Sequence, residues 1–436
     1  MWYPNFINNI VFPLSDVLLK TSYTKNLVKW RKYDLLSADE LEKIQINNLK
    51  SLLIHAQSHC KLYQNIQFKG ENPFEWLTQF PMLTKEIVRT QESDLLTQNP
   101  KKLVKFCSSG SSGMQTCVYE SKAELQSNRS ILMHLWEWSG YRLGAPIVQT
   151  GITPNRGLFK SIKDIFLRTI YVDAFVHSEP QILKVLDKIK GKNYTIAGYA
   201  SSVNLMAETA LKYKLKLELK AVISLGDKLF NHYKTNIKKA FNCEVFDTYG
   251  SAEGFMIAAQ KDLNAYYILS PHVLIEIVDD ENKPVSDGTM GNILITRLDG
   301  YAMPMIRYRL GDLGIMLPKE NYPKKRAYNY PLLQQIVGRE TDVVKTKNGK
   351  SLVVHSFTGI FEHISGIKQF KVVQKNLNSI DIEIIKGESF SNADVDKAQA
   401  LLQKYIDDKT FKINFLVVDS IAPSKSGKPQ MIESHL

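Results

Sequence analysis

The chain has 436 residues, of which 44% are hydrophobic and 23% are charged. This length predicts two or three domains whose cores need no disulfide or metal to fold, and the composition excludes an intrinsically disordered protein. The 56 Lys and Arg residues exceed the 44 Asp and Glu residues by 12. A basic balance favours an anionic partner: nucleic acid, a membrane surface or a phosphate-bearing small molecule.

Several classes of protein are disfavoured by what the sequence lacks. The four cysteines form no CxxC pair, which argues against a disulfide framework or a four-thiolate zinc site and fits a reducing cytosol. No apolar run of about 18 residues predicts a spanning helix, and no basic head precedes the apolar N-terminus as in a signal peptide. No helix-turn-helix, zinc-finger or RNP signature is present, so no nucleic-acid partner is expected.

Helices and strands alternate in the first part of the chain. Residues 37–60 carry an apolar stripe at helical spacing that starts with a Ser-x-x-Glu capping box. A short strand at 103–107 ends in a Ser/Gly-rich segment, and a helix follows at 121–137. Between about 145 and 250, short apolar runs such as APIVQT and KAVISLG alternate with helical patterns, which predicts α/β layering.

The pattern changes twice in the rest of the chain. Period-2 runs between 266 and 298 predict a β-rich section. Three strands and one helix between 368 and 418 predict a small α+β domain. The predicted fold class is therefore α/β with a β-rich section. A large multi-subdomain N-terminal domain, 1–341, is followed by a small mobile C-terminal domain, 342–436, on a hinge.

A segment rich in serine and glycine, SSGSSGMQT at 108–116, follows the first predicted strand. Glycine lets the backbone approach a ligand closely, and amide and hydroxyl groups bind phosphate oxygens. The segment is not a Walker A loop, because no GK[ST] follows it. Taken alone, it is compatible with a phosphate-binding loop and with a plain polar loop.

Two further motifs supply residue types that suit nucleotide binding. DTYGSAEG, ending at Gly254, offers Tyr249 for stacking on a base and Glu253 as an oxygen ligand for Mg²⁺. The alternative is an ordinary strand-to-loop turn. MPMIRYRLGDLG, ending at Gly314, places Asp312 in a turn, where a carboxylate accepts hydrogen bonds from ribose hydroxyls. Here the alternative is a structural Arg–Asp pair.

The last two motifs lie near the predicted domain boundary and the C-terminus. IVGRETDVVKTKNGK brings Gly338 and Asp342 to the boundary, where a hinge is expected. PSKSGKPQ at 423–430 presents Lys428 on a Ser/Gly turn that would project it outward. The alternative for Lys428 is a solvated surface charge.

The order of these five motifs resembles the adenylate-forming superfamily, which includes acyl-CoA ligases, peptide-synthetase adenylation domains and luciferases. The resemblance covers nearly the whole chain. PMLTKEIVRT at 81–90, residues 41–64 and ITRLDGYAMPMIRYRLGDLG at 295–314 are similar to the phenylacetate–CoA ligase branch. The N-terminal segment and the PSKSGK ending resemble the subgroup of capsular polysaccharide biosynthesis proteins.

The resemblance implies a cytoplasmic AMP-forming ligase that uses ATP and Mg²⁺ to activate a small-molecule carboxylate as an acyl-adenylate. The acyl group then passes to a thiol or an amine. Coenzyme A is the default acceptor in the ligase branch, whereas the polysaccharide-associated subgroup suggests amide formation with an amine. A non-catalytic nucleotide-binding relative is the remaining alternative.

The resemblance also implies a role for individual residues. Lys428 would drive adenylation, Glu253 would bind Mg²⁺, Arg339 would lie near the ribose and phosphates, and Asp342 would be the hinge. The implied nucleotide-binding residues are Ser108, Ser109, Gly110, Ser111, Ser112, Gly113, Thr116, Gly226, Asp227, Tyr249, Gly250, Ser251 and Asp312. The implied acyl pocket comprises Gly198, Tyr199, Ala200 and Ser201.

Two positions depart from the pattern of the superfamily. Met114 stands where the loop usually has lysine, and Ala252 stands where Thr or Ser usually precedes the magnesium glutamate. Ser251 is the candidate substitute for the missing hydroxyl. Both departures put catalytic efficiency in doubt more than nucleotide binding.

Two features fall outside the motifs. His55, His59 and Cys60 lie close together on a predicted helix, where a metal site is one interpretation and ordinary core or surface residues are the other. Residues 1–32 place apolar and aromatic side chains before a group of cations. That segment predicts either a contact with an anionic membrane surface, on the inner face, or packing against its own domain.

Overall fold

The structure is a computed structural model. It describes residues 2–107, 116–151, 157–174, 178–251, 253–339, 343–348, 351–361, 364, 366–387, 389–422 and 431–436. The chain forms two compact units. The first comprises Met1–Glu276, Leu294–Leu310 and Met316–Gln334, and the second comprises Ile277–Ile293, Gly311–Ile315 and Gln335–Leu436.

The first unit begins with helices. They are α1 (Trp2–Phe6), α2 (Phe12–Leu19), α3 (Tyr23–Tyr33), α4 (Ala38–His59), α5 (Pro73–Leu77), α6 (Lys85–Thr90) and α7 (Glu92–Leu95), with a π-helical turn at Ile7–Val11 and a 3₁₀ turn at Pro100–Lys102. The predicted helix at 37–60 is confirmed as α4. Ser37 caps it, and the side chain of Glu40 accepts a hydrogen bond from the Ser37 amide in return.

A two-stranded antiparallel ladder of β1 (Val104–Cys107) and β2 (Cys117–Glu120) precedes α8 (Lys122–Trp138). Its register places Cys107 opposite Cys117, and the two sulfurs form a disulfide. The expectation drawn from cysteine spacing is therefore wrong for this pair. The spacing is not CxxC, and only the strand pairing brings the two thiols together.

A parallel sheet with helical connections follows, as the alternating pattern predicts. Its strands are β3 (Ile147–Gly151), β4 (Thr169–Asp173), β5 (Thr195–Tyr199), β6 (Ala221–Leu225) and β7 (Val245–Gly250), and its helices are α9 (Leu158–Phe166), α10 (Glu179–Ile189), α11 (Ala200–Lys212) and α12 (Asn231–Phe241). Val148, Ile196 and Val222 pack with side chains of α10, α11 and α12 in one core cluster. Because the strands are parallel, their carboxyl ends share one edge, where ligands of α/β proteins usually bind.

The β-rich section continues the same sheet with β8 (Met256–Ala259), β9 (Tyr266–Ile268), β10 (Val273–Val278), β11 (Met290–Arg297), β12 (Tyr308–Met316) and β13 (Leu332–Arg339). Within the described ranges, eleven strands lie in the order β10-β11-β12-β13-β9-β8-β7-β6-β5-β3-β4. Strands β7, β8 and β9 pair antiparallel, and so do β9 and β13. Each of β10 to β13 has residues in both units.

The second unit contains the C-terminal elements. They are β14 (Val343–Lys345), β15 (Ser351–Val353), α13 (Val354–Phe361), β16 (Ile367–Asn376), β17 (Ser379–Lys386), α14 (Asn392–Ile406), β18 (Lys412–Val417) and β19 (Ile432–Ser434). In the part of this unit that the structure describes, four strands form a sheet in the order β18-β17-β16-β19. The α14 side chains Ala398, Leu402 and Ile406 are buried. The α/β class with a small α+β tail is confirmed, whereas the boundary at Asp342 stays a prediction.

Candidate active site

The predicted site residues divide into described and undescribed ones. Ser108, Ser109, Gly110, Ser111, Ser112, Gly113, Met114, Ala252, Asp342 and Lys428 lie outside the residues that the structure describes. The rest have defined positions. Thr116 is buried at the start of β2, and most of the others lie at the carboxyl edge of the parallel strands.

The predicted acyl pocket and the predicted adenine loop meet at this edge. Strand β5 ends at Tyr199 and α11 begins at once, so the first α11 amides point at the end of β6. The Asp227 carboxylate accepts hydrogen bonds from the amides of Ala200 and Ser201, at 2.5 and 3.1 Å. A negative charge at a helix N-terminus is favourable. Asp227 thereby fixes the loop after β6 against the first turn of α11.

Gly226 allows the loop after β6 to lie close to the ring of Tyr199. Its φ of +81° lies in the left-handed region, and a Cβ there would lie 2.5 Å from the ring of Tyr199. Burial raises the pKa of the Tyr199 phenol, and the charge of Asp227 adds to that effect. The ring therefore stays neutral at physiological pH and offers a flat surface beside the loop.

The end of β7 forms a tight turn that carries Glu253. The Ser251 amide donates to the Phe255 carbonyl at 2.9 Å, and the Gly254 amide donates to the Ser251 carbonyl at 3.1 Å. Tyr249 is 8% exposed just before this turn. The Ser251 hydroxyl is buried and has no hydrogen-bond partner among the described residues, so its suggested role as the substitute hydroxyl stays a prediction.

Glu253 is held by a residue of another motif. Its side chain is 5% exposed, and its Oε1 accepts a hydrogen bond from the hydroxyl of Tyr308 at 3.0 Å. Tyr308 itself is fully buried and begins β12. This hydrogen bond joins the RYRxGD motif directly to the YGxxE motif. The two side chains are 55 residues apart in the chain.

The chemistry of Glu253 fits one kind of metal better than others. Within the described residues, no group of three or more His, Cys, Asp or Glu side chains forms a metal cage. Zn²⁺ and Ca²⁺ usually require such sets, whereas Mg²⁺ commonly takes one or two carboxylates and completes its shell with water and phosphates. A single oriented carboxylate therefore suits Mg²⁺ that arrives with a nucleotide.

A buried polar network connects the start of α8 to the Glu253 turn. The Asn128 amide group donates to the carbonyl of Gly254 and to the Glu120 carboxylate. Glu120, at the end of β2, also pairs with the guanidinium of Arg297, and both side chains are almost fully buried. These residues could not be predicted from the sequence, because no local pattern relates positions so far apart in the chain.

A second carboxylate, that of Asp299, also pairs with Arg297. Asp299 Oδ1 lies 3.1 Å from Arg297 Nε and 2.8 Å from Nδ1 of the buried His272. Although burial opposes ionisation, these two partners hold the pKa of Asp299 well below its ordinary value. Asp299 of the ITRLDG motif is therefore part of a structural ion network in the first unit.

Asp312 and Arg339 lie together in the second unit. Arg339 Nε is 3.8 Å from Asp312 Oδ1, and the arginine side chain is about half exposed. Arg307 pairs with a different residue, Glu276, at 3.2 Å. The pair joins residues of two different motifs, and the implied roles of Asp312 and Arg339 stay predictions.

The alternative metal site on α4 gains no support. The rings of His55 and His59 stack at 4.4 Å, and their nitrogens contact the carbonyls of Tyr301 and His55 at 3.0 Å each. Cys60 is buried, which raises the pKa of its thiol to about 11. A protonated thiol and two backbone-bonded imidazoles fit ordinary packing residues.

Replacing Tyr308 with phenylalanine should weaken Mg²⁺ use more than it weakens the fold. Loss of one hydrogen bond to a carboxylate frees Glu253 to rotate, so the Mg²⁺ concentration needed for half-maximal activity should rise roughly tenfold. Titration of Mg²⁺ in an ATP–pyrophosphate exchange assay measures this. Tyr330→Phe is the matched control, since Tyr330 is equally buried and donates to Asp34 at 3.0 Å. Equal Mg²⁺ requirements in both variants would contradict the role of Tyr308.

Asp247 predicts an unusual pH dependence of stability. Burial raises the pKa of this carboxyl to about 6, although Tyr266 donates a hydrogen bond to it at 2.5 Å. The folded chain therefore keeps the proton that the unfolded chain loses near pH 4, and the contribution of Asp247 to the free energy of unfolding falls as pH rises from about 4 to about 6. Asp247→Asn should remove this fall, worth about 3 kcal/mol.

Urea unfolding of wild type and variant between pH 4 and pH 8 measures that difference. Asp262→Asn is the control, because Asp262 also accepts a tyrosine hydroxyl, from Tyr267 at 2.7 Å. It should leave the fall between pH 4 and pH 6 in place. Parallel stability curves for wild type and Asp247→Asn would show that Asp247 ionises normally in the folded chain.

Several known proteins are similar to this chain. A family model for the CapK C-terminal domain matches residues 344–435. Protein CapK of Staphylococcus aureus is 23% identical over 97% of this chain and 95% of its own length. Phenylacetate-coenzyme A ligase of Escherichia coli is 24% identical over 81% of this chain and 84% of its own.

Among solved structures, 2-hydroxyisobutyryl-CoA ligase in the postadenylation state matches with a TM-score of 0.74 at 18% identity. The match covers 93% of this chain and 91% of that one. At this identity the match shows the fold. Together with the ordered motifs, the similarity to CapK along nearly the whole chain supports an adenylate-forming, AMP-forming ligase that resembles CapK and the phenylacetate–CoA ligases.

Proposed function

We propose that this protein activates a small carboxylic acid with ATP as an acyl-adenylate and then transfers the acyl group to the thiol of coenzyme A. The observation that carries the proposal is the hydrogen bond from Tyr308 to Glu253. It joins two motifs at the carboxyl edge of the sheet and leaves one oriented carboxylate for Mg²⁺. The ordered motifs and the ligase relatives support the same reaction.

The first half-reaction forms the adenylate. A carboxylate oxygen of the acid attacks the α-phosphorus of ATP, the bond to the bridging oxygen of pyrophosphate breaks, and pyrophosphate leaves. Negative charge grows on the phosphate oxygens in this step. We assign its stabilisation to Lys428 and Arg339, since oriented cations are most effective where charge develops. Bound Mg²⁺ would neutralise further phosphate charge, and Glu253 would hold it.

Binding of the substrates is assigned to the remaining residues. Tyr249 is proposed to stack on adenine, Asp312 to accept hydrogen bonds from the ribose hydroxyls, and the 108–116 segment to bind phosphates. With Met114 in place of the usual lysine, amides and hydroxyls of that segment must supply the phosphate contacts. Gly198, Tyr199, Ala200 and Ser201 are proposed to contact the acyl group, with Gly226 and Asp227 beside them.

The second half-reaction transfers the acyl group. The sulfur of coenzyme A attacks the acyl carbon, the thiol loses its proton, and AMP leaves. We propose that the domain 342–436 turns about Asp342 between the two half-reactions, with 1–341 as the stationary domain. We also propose that the reaction takes place in the cytoplasm, where ATP and coenzyme A are available.

One assay separates the proposed acceptor from its alternatives. The purified chain is incubated with ATP, Mg²⁺ and a panel of carboxylates, and then with coenzyme A or with amino sugars and amino acids. Release of AMP stimulated by coenzyme A is the expected result. Stimulation by amines alone would replace the thioester with amide formation, as the capsular polysaccharide subgroup suggests. Pyrophosphate release with none of the acids would favour a non-catalytic nucleotide-binding relative.

A further inference from the structure

The N-terminal helix exposes several large apolar side chains to solvent. Helix α1, the π-helical turn and α2 follow one another without a break from Trp2 to Leu19. Seven of their large apolar side chains are between 40% and 75% exposed: Trp2, Phe6, Ile10, Leu14, Val17, Leu18 and Leu19. These seven residues are called the N-terminal apolar face below. Exposure of so many large apolar groups on one helix marks an interaction surface.

The opposite side of the same helix is fixed to the first unit. Ile7 is 1% exposed, and the Asn8 amide group donates to the Leu143 carbonyl at 2.8 Å. The Asp16 carboxylate accepts the Thr24 amide at 2.6 Å. The helix therefore packs against its own domain, as one sequence interpretation held, and the N-terminal apolar face is what remains on its outer side.

A second helix extends this surface. The Tyr3 hydroxyl donates to the Phe166 carbonyl at the end of α9 at 2.6 Å, and the guanidinium of Arg168 lies 4.1 Å from the Tyr3 ring centre. On α9, Ile162, Ile165 and Phe166 are 56%, 80% and 45% exposed. Two helices thus present apolar side chains next to one another, with an arginine beside them.

The charges around this surface are mostly positive, and the half-buried Asp164 on α9 is an exception. Between Trp2 and Leu19 the one charged residue is Asp16. Its side chain is buried and accepts a hydrogen bond from the amide of Thr24. Exposed lysines follow immediately at positions 20, 25, 29 and 32. With Arg31, residues 1–33 have five basic groups and one acidic group, a net charge of +4.

An anionic lipid surface fits this arrangement better than a second copy of the chain. Apolar side chains that include a tryptophan, with adjoining cations, are typical of helices that lie in the headgroup region. Two copies joined through the same face would bring their lysines together, and like charges would oppose the contact. Among the described residues, no helix is both long and apolar enough to cross a bilayer.

We propose that the N-terminal apolar face, with the exposed end of α9, binds the surface of an anionic membrane while the helix lies parallel to it. The apolar side chains enter the boundary between headgroups and acyl chains, and the lysines contact lipid phosphates. The contact involves no residue of the candidate active site. It is independent of the proposed ligase function and would place that reaction at a membrane surface.

Vesicle sedimentation with the full chain tests the proposal. The protein should sediment with vesicles of phosphatidylcholine and phosphatidylglycerol at 3:1 and much less with phosphatidylcholine alone, and added salt should weaken binding. The double variant Leu14→Ser, Leu18→Ser should lose at least tenfold in affinity. Lys20→Gln and Lys25→Gln should each lose about fivefold. Leu377→Ser, Leu401→Ser is the matched control, since these leucines are 40% and 39% exposed in the second unit.

Tryptophan quenching tests the orientation. Vesicles with brominated acyl chains should quench the fluorescence of wild type, and Trp2→Phe should remove that quenching. Thermal unfolding of every variant should match wild type, because the changed side chains are exposed. Equal sedimentation with neutral and anionic vesicles would overturn the proposal. So would self-association of the wild type that the leucine variants abolish while lipid binding is absent.

Discussion

Replacing Lys428 with alanine is expected to reduce adenylate formation by at least a hundredfold. The first half-reaction concentrates negative charge at the α-phosphate, and loss of a single group that stabilises such charge typically costs a factor of about 10²–10³ in rate. The second half-reaction develops its charge at the acyl carbon. Transfer from a supplied acyl-adenylate to coenzyme A should therefore be nearly unchanged.

Pyrophosphate release and thioester formation, measured separately, distinguish these effects. Lys425→Ala is the matched control, because it removes a lysine three positions away in the same PSKSGK segment. It should retain both activities. Pyrophosphate release by Lys428→Ala at the wild-type rate would count against the assignment of the whole motif order.

Replacing Arg297 with methionine is expected to lower the free energy of unfolding by about 3–5 kcal/mol. The change leaves Glu120 and Asp299 buried without their cationic partner, and uncompensated buried charge is far more costly than a lost surface pair. Arg297 also lies beside the Asn128 contact to the Glu253 turn. We therefore expect weaker Mg²⁺-dependent activity even at temperatures where the variant is folded.

Urea unfolding followed by circular dichroism measures the stability change. Lys212→Met is the control for loss of an ion pair, since Lys212 and Glu179 pair at 2.8 Å with both side chains well exposed. Its effect should be much smaller than that of Arg297→Met, because solvent screens an exposed pair. Similar small losses in both variants would mean that the Arg297 network adds little to the stability of the first unit.

Local elements were predictable because their signals are local. The capping box and apolar stripe predicted α4, and the helix at 392–406 is α14 with the same bounds. The strands β3 and β6 match the apolar runs APIVQT and KAVISLG. Each pattern lies within one element, so it needs no knowledge of the tertiary fold.

Contacts between distant elements were not predictable in the same way. The Cys107–Cys117 pairing depends on the register of β1 and β2. The Arg297–Glu120 pair joins residues 177 apart in the chain. No periodicity encodes such contacts, because topology alone decides which side chains meet.

The candidate site was partly accessible from sequence because of its motifs. Tyr249, Glu253 and Asp312 were named from them, whereas the partners that orient Glu253 were not. Tyr308 was part of a quoted motif, but its hydrogen bond to Glu253 depends on the tertiary fold. Asp227 was predicted as a nucleotide-binding residue. Its hydrogen bonds to the first amides of α11 could be found only in the structure.

Carboxylate-dependent ATP–pyrophosphate exchange tests the central claim most directly. The purified chain is given ATP, labelled pyrophosphate, Mg²⁺ and each acid of a broad panel in turn. We predict that at least one acid gives exchange well above the acid-free rate, and that Glu253→Gln and Lys428→Ala both suppress it. Exchange with no acid in the panel, or exchange that survives both substitutions, would contradict the assignment of an adenylate-forming site.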